Sequence, residues 1–216
     1  MSLRAHTFIV LLCCLIAVFA GCSDDDNPSN PGYTGPDVIM PLEVGFRWAG
    51  TQQTYDSLGN LRSSASQTFY VERDTIIPDT TYGDEHWFTL AGGTILLSNR
   101  EDGTWARYGF SDTMDLQEPV IYLKYWAEPW ETYQSGSYLA STVTVVSTDS
   151  VVSVPAGSFK CYYYKWDRPD INRIDHYFLS PKLGWVKTEY YKPNLAGEFY
   201  LWSKWELESY ILNVSP

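Results

Sequence analysis

Three carboxylates stand close together in the stretch Trp166-Asp167-Arg168-Pro169-Asp170-Ile171-Asn172-Arg173-Ile174-Asp175. A pair of acids beside aromatic rings is the equipment of a glycoside hydrolase: one carboxyl protonates the leaving group and the other attacks or activates water. The same stretch is also built like a hairpin loop, with Pro, Asp and Asn as turn formers and Arg168 and Arg173 to neutralise the acids. The loop is the expected reading, and the hydrolase stands as a second alternative. The histidines offer little more. His176 alternates with Ile174 and Phe178, while Asp175 points the other way; His86 alternates with Phe88 and Leu90. Both are expected to be satisfied core histidines rather than bases. Cys161 alternates with apolar neighbours and reads as a buried, inert thiol. Two separated histidines and one thiol scarcely make a zinc site. The sequence holds no His-Glu-x-x-His, Gly-x-Ser-x-Gly elbow, phosphate-cradling glycine loop or Cys-x-x-Cys. The expectation is a protein that is not an enzyme and takes no cofactor and no metal.

The chemistry that stands out is aromatic. Phe, Trp and Tyr make up 16% of the chain, with 9 Trp, 17 Tyr and 9 Phe. Tyr162-Tyr163-Tyr164-Lys165-Trp166 places rings on both faces of any strand it forms, as do Tyr190-Tyr191 and Phe199-Tyr200-Leu201-Trp202; the segment Tyr122 to Trp130 adds Tyr125, Trp126 and Trp130. A sheet with one wet face needs rings on one side only. The surplus can be covered by neighbouring strands, line a lumen for an apolar ligand, or form an exposed platform that stacks on sugars. Tyr200 and Trp202, joined by Tyr164 and Trp166 where their strands sit close, are the candidate ligand-binding residues.

The elements that must carry these side chains are strands. From about Val38 the apolar pattern has period two. Phe199, Leu201, Ser203, Trp205, Leu207, Ser209 and Ile211 share one face of a long final strand, and that face is expected to carry the core. Thr68–Arg73, Thr142–Val146 and Trp185–Tyr190 are rich in β-branched and aromatic residues. Turn signals recur at Asp56–Asn60, Gly92-Gly93, Glu101–Gly103, Pro155–Gly157, Pro181–Gly184 and Pro193–Gly197. No helical stripe follows the N-terminal region; Asp112–Glu118 has room for one helical turn. The expected fold is all-β: ten to twelve strands joined as meanders in a single curved antiparallel sheet, half-barrel, barrel or sandwich-like.

The chain has 216 residues and a mass of 24.7 kDa, with a formal net charge of −11 and a pI near 4.6. So acidic a surface repels phosphate backbones, and no nucleic-acid partner is expected. Arg4 precedes an apolar run from Phe8 to Ala20, whose 13 residues match a signal-peptide core and are too few for a membrane-spanning helix. Ala20-Gly21-Cys22 then resembles the lipobox of bacterial lipoproteins, with Phe19 where that pattern prefers Leu, Val or Ile. The resemblance implies cleavage before Cys22 and lipid attachment at that thiol. Residues 23–36 hold three Pro, two Gly and the run Asp24-Asp25-Asp26, and read as a solvated tether. Ser23-Asp24-Asp25-Asp26 also resembles the acidic export signal of surface lipoproteins in Bacteroidetes-type bacteria. The expected organisation is a signal peptide over 1–21, a lipidated flexible tether over 22–37 and a single all-β domain over 38–216. Cys161 is then the one thiol of the folded part, so no disulfide is expected.

Two phrases carry a family resemblance. Met40-Pro41-Leu42-Glu43-Val44-Gly45-Phe46-Arg47-Trp48 opens the domain, and Val154-Pro155-Ala156-Gly157-Ser158-Phe159-Lys160-Cys161 is followed by Tyr177-Phe178-Leu179-Ser180-Pro181-Lys182-Leu183-Gly184-Trp185-Val186-Lys187. Over residues 40–190 the chain resembles the TapB-like exported lipoproteins, mostly of uncharacterised function. The resemblance implies a curved antiparallel sheet akin to the half-barrels of lipoprotein-localisation carriers, and brings no catalytic residues. The expected function is that of a non-catalytic cell-envelope lipoprotein, held by its lipid at the bacterial outer membrane on the periplasmic or surface face. It binds an apolar ligand or serves as a scaffold, with a glycan-binding surface lipoprotein as the alternative.

Overall fold

The structure is a computed structural model and describes residues 38–79, 83–91, 95–108, 118–136 and 141–212. The signal peptide, Cys22, the tether, the Gly92-Gly93 turn and all but the last residue of the expected helical turn lie outside the described residues. All described residues belong to the compact unit Pro31–Pro216.

That unit is a sheet of twelve strands. The first half comprises β1 (Arg47–Tyr55), β2 (Leu61–Asp79), β3 (Gly83–Leu90), β4 (Ile95–Arg100), β5 (Gly103–Tyr108) and β6 (Val120–Lys124). The second comprises β7 (Thr132–Ser135), β8 (Ser141–Val154), β9 (Gly157–Arg168), β10 (Arg173–Ser180), β11 (Gly184–Pro193) and β12 (Phe199–Ile211). The spatial order is β6-β5-β4-β3-β2-β1-β12-β11-β10-β9-β8-β7 and every pairing is antiparallel. Two meanders are thus joined by one ladder, β1 against β12, and the expected architecture is the one observed.

The turns follow from residue chemistry. Asp56 accepts backbone N–H bonds from Leu58 (3.0 Å) and Asn60 (2.8 Å), and Gly59 takes the left-handed position at φ +81°. Pro155-Ala156 links β8 to β9, with Gly157 at φ +137°. Gly184 opens β11 at φ +86°, where a Cβ would come within 3.1 Å of the Trp48 indole. The long strands bend to follow the curvature: β2 pairs with β1 over Leu61–Tyr70 and with β3 from Val71 onward, with a bulge at the change of partner.

The interior is dominated by rings. Trp48, Trp185, Phe69 and Trp205 pack edge-on, with centroids 5.0–5.5 Å apart. Trp48 donates Nε1–H to the Leu183 carbonyl at 2.5 Å. Trp205 lies across Gly50, where an added Cβ would meet its ring at 2.7 Å. The segment before β1 is part of this core: Ile39, Met40, Leu42 and Phe46 are all buried. It is pinned where the Val38 carbonyl accepts Lys182 N–H (2.8 Å) and the Met40 carbonyl accepts the Asn99 amide (2.9 Å).

The sheet curls until its edge strands β6 and β7 face each other, and side chains bridge them. The Tyr133 hydroxyl donates to the Tyr122 carbonyl (3.0 Å) and accepts Lys124 N–H (3.2 Å), while the Tyr164 hydroxyl donates to the Lys124 carbonyl (2.8 Å). Lys124 also pairs with Glu131. Tyrosine hydroxyls thereby satisfy backbone groups that a neighbouring strand would otherwise take.

The final strand corrects one expectation in part. Ser203, Trp205 and Leu207 are buried as expected, but Phe199 and Ile211, at the two ends of the same face, are 44% and 54% exposed. Thirteen residues of strand reach past the core at both ends.

Candidate ligand-binding cavity

The four candidate rings do not form one platform. Tyr164 and Trp166 are buried in β9, on the core face. Tyr200 and Trp202 are half-buried at the start of β12, three strands away. Register explains the second pair. The β11–β12 ladder slips between Tyr190 and Tyr191, passing from Ser203 to Leu201 and leaving Trp202 unpaired in that ladder. There Lys192 lies 4.4 Å from the Trp202 ring centroid and 6.0 Å from that of Tyr200, so both rings serve a cation.

Alternation along β10 is as expected, but the faces are exchanged. Asp175 is the fully buried residue, and His176 is half-buried on the opposite side. The reason is charge pairing: Arg173 grips both Asp175 oxygens at 2.6 and 2.7 Å, and Arg168 reaches one at 3.4 Å. His176 instead meets the Tyr163 hydroxyl at 3.2 Å and Glu189 at 3.6 Å. His86 lies beside Asp74 at 3.6 Å, its side chain only 14% exposed. Much of the ring surplus is explained on the outer side of β9–β11. Tyr163 stacks on Phe178 at 4.5 Å, His176 packs on Tyr191 at 4.8 Å, and Lys187 covers Phe178 while pairing with Glu189. Burial pulls the Glu189 carboxyl upward, yet bonds from His176, Lys187 and Tyr191 outweigh it and hold Glu189 at about 2. Cys161 is buried, and that burial pushes its thiol up to about 12, as suits an inert residue.

Inside the curve, near the bridged edges, lies a cavity of about 180 Å³. Its wall on one side comes from Ile95 of β4, Tyr108 of β5 and Tyr122 of β6. The other side is formed by Ser135 and Gly136 at the end of β7, Ser141 of β8, Trp166 and Arg168 of β9, and Tyr177 of β10. The rings touch one another: Tyr122 to Trp166 at 4.9 Å and Trp166 to Tyr177 at 5.7 Å. Four polar atoms on this wall are buried with no hydrogen-bond partner: Ser135 Oγ, Ser141 Oγ, Trp166 Nε1 and Arg168 Nε. The serines are 1% exposed and Trp166 is 4% exposed. Each such orphan is costly, by about 1–3 kcal/mol, and four around one void is a concentration that a folded core avoids. Burial raises the phenols of Tyr108, Tyr122 and Tyr177, so they remain neutral hydroxyls at ordinary pH.

Of the expected residues, Trp166 lines this cavity and Tyr164 closes the seam beside it. Arg168 was read only as a neutraliser of loop acids, Tyr122 and Tyr177 only as the starts of an aromatic segment and of a family phrase, and Ser135 and Ser141 carried no signal in a single sequence. Each of the three acids has a setting of its own. Asp175 is occupied by two arginines, Asp167 alternates to the other face beside Lys165, and Asp170 is exposed in the 3₁₀ turn Pro169–Ile171. Among the described residues no group of three or more His, Cys, Asp or Glu gathers to hold a metal.

No protein-family model and no curated protein matches the sequence. Two solved structures are similar to it. One is a candidate lipoprotein from Parabacteroides distasonis, 17% identical, covering 82% of this chain and all of its own, with a TM-score of 0.41. The other is a candidate exported protein with a YmcC-like fold from Bacteroides fragilis, 19% identical, covering 82% of this chain and all of its own, with a TM-score of 0.42.

Proposed function

We propose that this protein is an exported, lipid-anchored envelope protein that binds a small oxygen-bearing ring molecule of the saccharide class, without transforming it. Export and anchoring rest on the apolar run Phe8–Ala20 and the Ala20-Gly21-Cys22 lipobox. The binding reading rests on one observation: the residues lining a ring-walled cavity carry four buried polar atoms without a hydrogen-bond partner. Two of them, Trp166 Nε1 and Arg168 Nε, donate only, and the serine hydroxyls can donate. A complementary ligand therefore presents several acceptor oxygens and a flat or puckered ring to lie against Trp166 and Tyr177. Size agrees, since an engineered cavity of about 150 Å³ admits benzene. The polar wall and small volume favour this ligand over the apolar one, because an acyl chain leaves all four donors unsatisfied. The commitment of Asp175 to Arg173 favours binding over hydrolysis.

Saturation-transfer NMR with a panel of monosaccharides tests the reading. Signals are expected with the wild type. Ser141→Leu, which fills the void and removes one orphan hydroxyl, should abolish them while leaving the melting temperature unchanged or higher. Absence of any signal from the wild type, or full retention in Ser141→Leu, overturns it.

A further inference from the structure

We infer that the cavity selects a ligand carrying a single carboxylate on its ring, and that Arg168 is the group that reads it. The inference rests on the cavity reading and goes one step beyond it, to charge. Around the buried carboxylate of Asp175 the structure gathers two guanidinium groups. Arg173 takes it in bidentate fashion, with two bonds of 2.6 and 2.7 Å, which is the full geometric match of one carboxylate to one guanidinium. Arg168 is left with one long contact of 3.4 Å to an oxygen already bonded. One anion thus faces two cations, and the surplus positive charge belongs to Arg168. Its side chain is 14% exposed, it lines the cavity, and its Nε–H is without an acceptor.

The surroundings fit the same anion. Trp166 Nε1–H is a second donor without an acceptor on the same wall. The Ser135 and Ser141 hydroxyls can turn their protons toward an oxygen. The phenols of Tyr108, Tyr122 and Tyr177 stay neutral and add no competing negative charge. An ionised carboxylate only accepts hydrogen bonds and carries the one charge that Arg168 lacks. Phosphate, at about one and a half negative charges near neutral pH, overshoots a surplus of one. A neutral sugar can accept the same bonds but leaves the guanidinium charge uncompensated in a site shielded from water.

Calorimetric titration of the purified protein at neutral pH with matched pairs decides the matter: glucuronate against glucose, benzoate against benzyl alcohol, with inorganic phosphate as a further probe. The acid of at least one pair is expected to bind about tenfold or more tighter than its neutral partner, the gain of a charge-assisted bond over a neutral one. Arg168→Gln should erase that preference, weakening the acid more than its neutral partner so that the two bind alike. Equal binding within both pairs, a preference for the neutral members, or phosphate binding more tightly than either acid overturns the carboxylate assignment; in the first two cases the cavity reading stands. No binding by any probe overturns both. If Arg168→Gln does not fold, the wild-type pairs alone decide.

Discussion

Trp205 and Trp202 lie on one strand three residues apart, and their environments predict unequal consequences. Trp205 is fully buried, its Nε1–H bonded to the Gln67 carbonyl at 3.2 Å, whereas Trp202 sits half-buried at a bulge under Lys192. Trp205→Ala should cost about 3–5 kcal/mol in urea denaturation, and Trp202→Ala distinctly less; equal losses would contradict this placement of the core. Glu189 makes a pH prediction. Its carboxyl is held at about 2, below the ordinary glutamate value of 4.5, so folding gains from its ionised form. That gain is complete above the ordinary carboxylate range and is lost as pH falls toward about 2. Glu189→Gln should flatten the acid limb of the stability curve, and an unchanged limb would remove Glu189 from the account. At this scale the alternation along β9 and β10 was readable from sequence, but the choice of inner face was not. With rings on both sides of β9, hydrophobicity does not break the tie; the Asp175–Arg173 pair does, and pairing is a property of the folded sheet. The cavity serines were invisible for a plainer reason, because Ser is common on any wet strand.

The seam between β6 and β7 is the element on which curvature depends. Tyr133→Phe and Tyr164→Phe each remove a hydroxyl that serves a β6 carbonyl, and each should cost about 0.5–1.5 kcal/mol, with faster hydrogen exchange at Lys124 in Tyr133→Phe. Exchange unchanged in Tyr133→Phe would mean that the edge is held by something else. Gly184→Ala forces a side chain into left-handed backbone against Trp48, and a loss of about 1–3 kcal/mol is expected by thermal denaturation. Glycines at such positions were legible as turn signals, as were Asp56–Asn60 and Pro155-Ala156, because turn chemistry is local. The burial of Ile39, Met40, Leu42 and Phe46 was not legible. That segment lacks a period, and its partners Lys182 and Asn99 are remote in the chain.

For the whole molecule, lipidation is the test of address: a fatty-acid analogue fed to expressing cells should label the wild type and spare Cys22→Ser, and equal labelling of both would end that reading. The count of strands and their meander order were readable because consecutive strands pair wherever the chain turns tightly. The exception has its own consequence. Among the described strands every ladder but one joins neighbours in the chain; β1 waits for β12, the twelfth of them. Until residues 203–211 have arrived, the side of β1 that receives them is a raw edge, and the chain consists of two half-sheets with no ladder between them. A copy lacking only β12 is therefore not a slightly smaller protein but two half-sheets held by side-chain and loop contacts with no ladder between them, each ready to pair with the wrong neighbour. β12 is the closing piece of the sheet: a chain cut short before Ser203 should yield aggregates or proteolytic fragments rather than weakened protein.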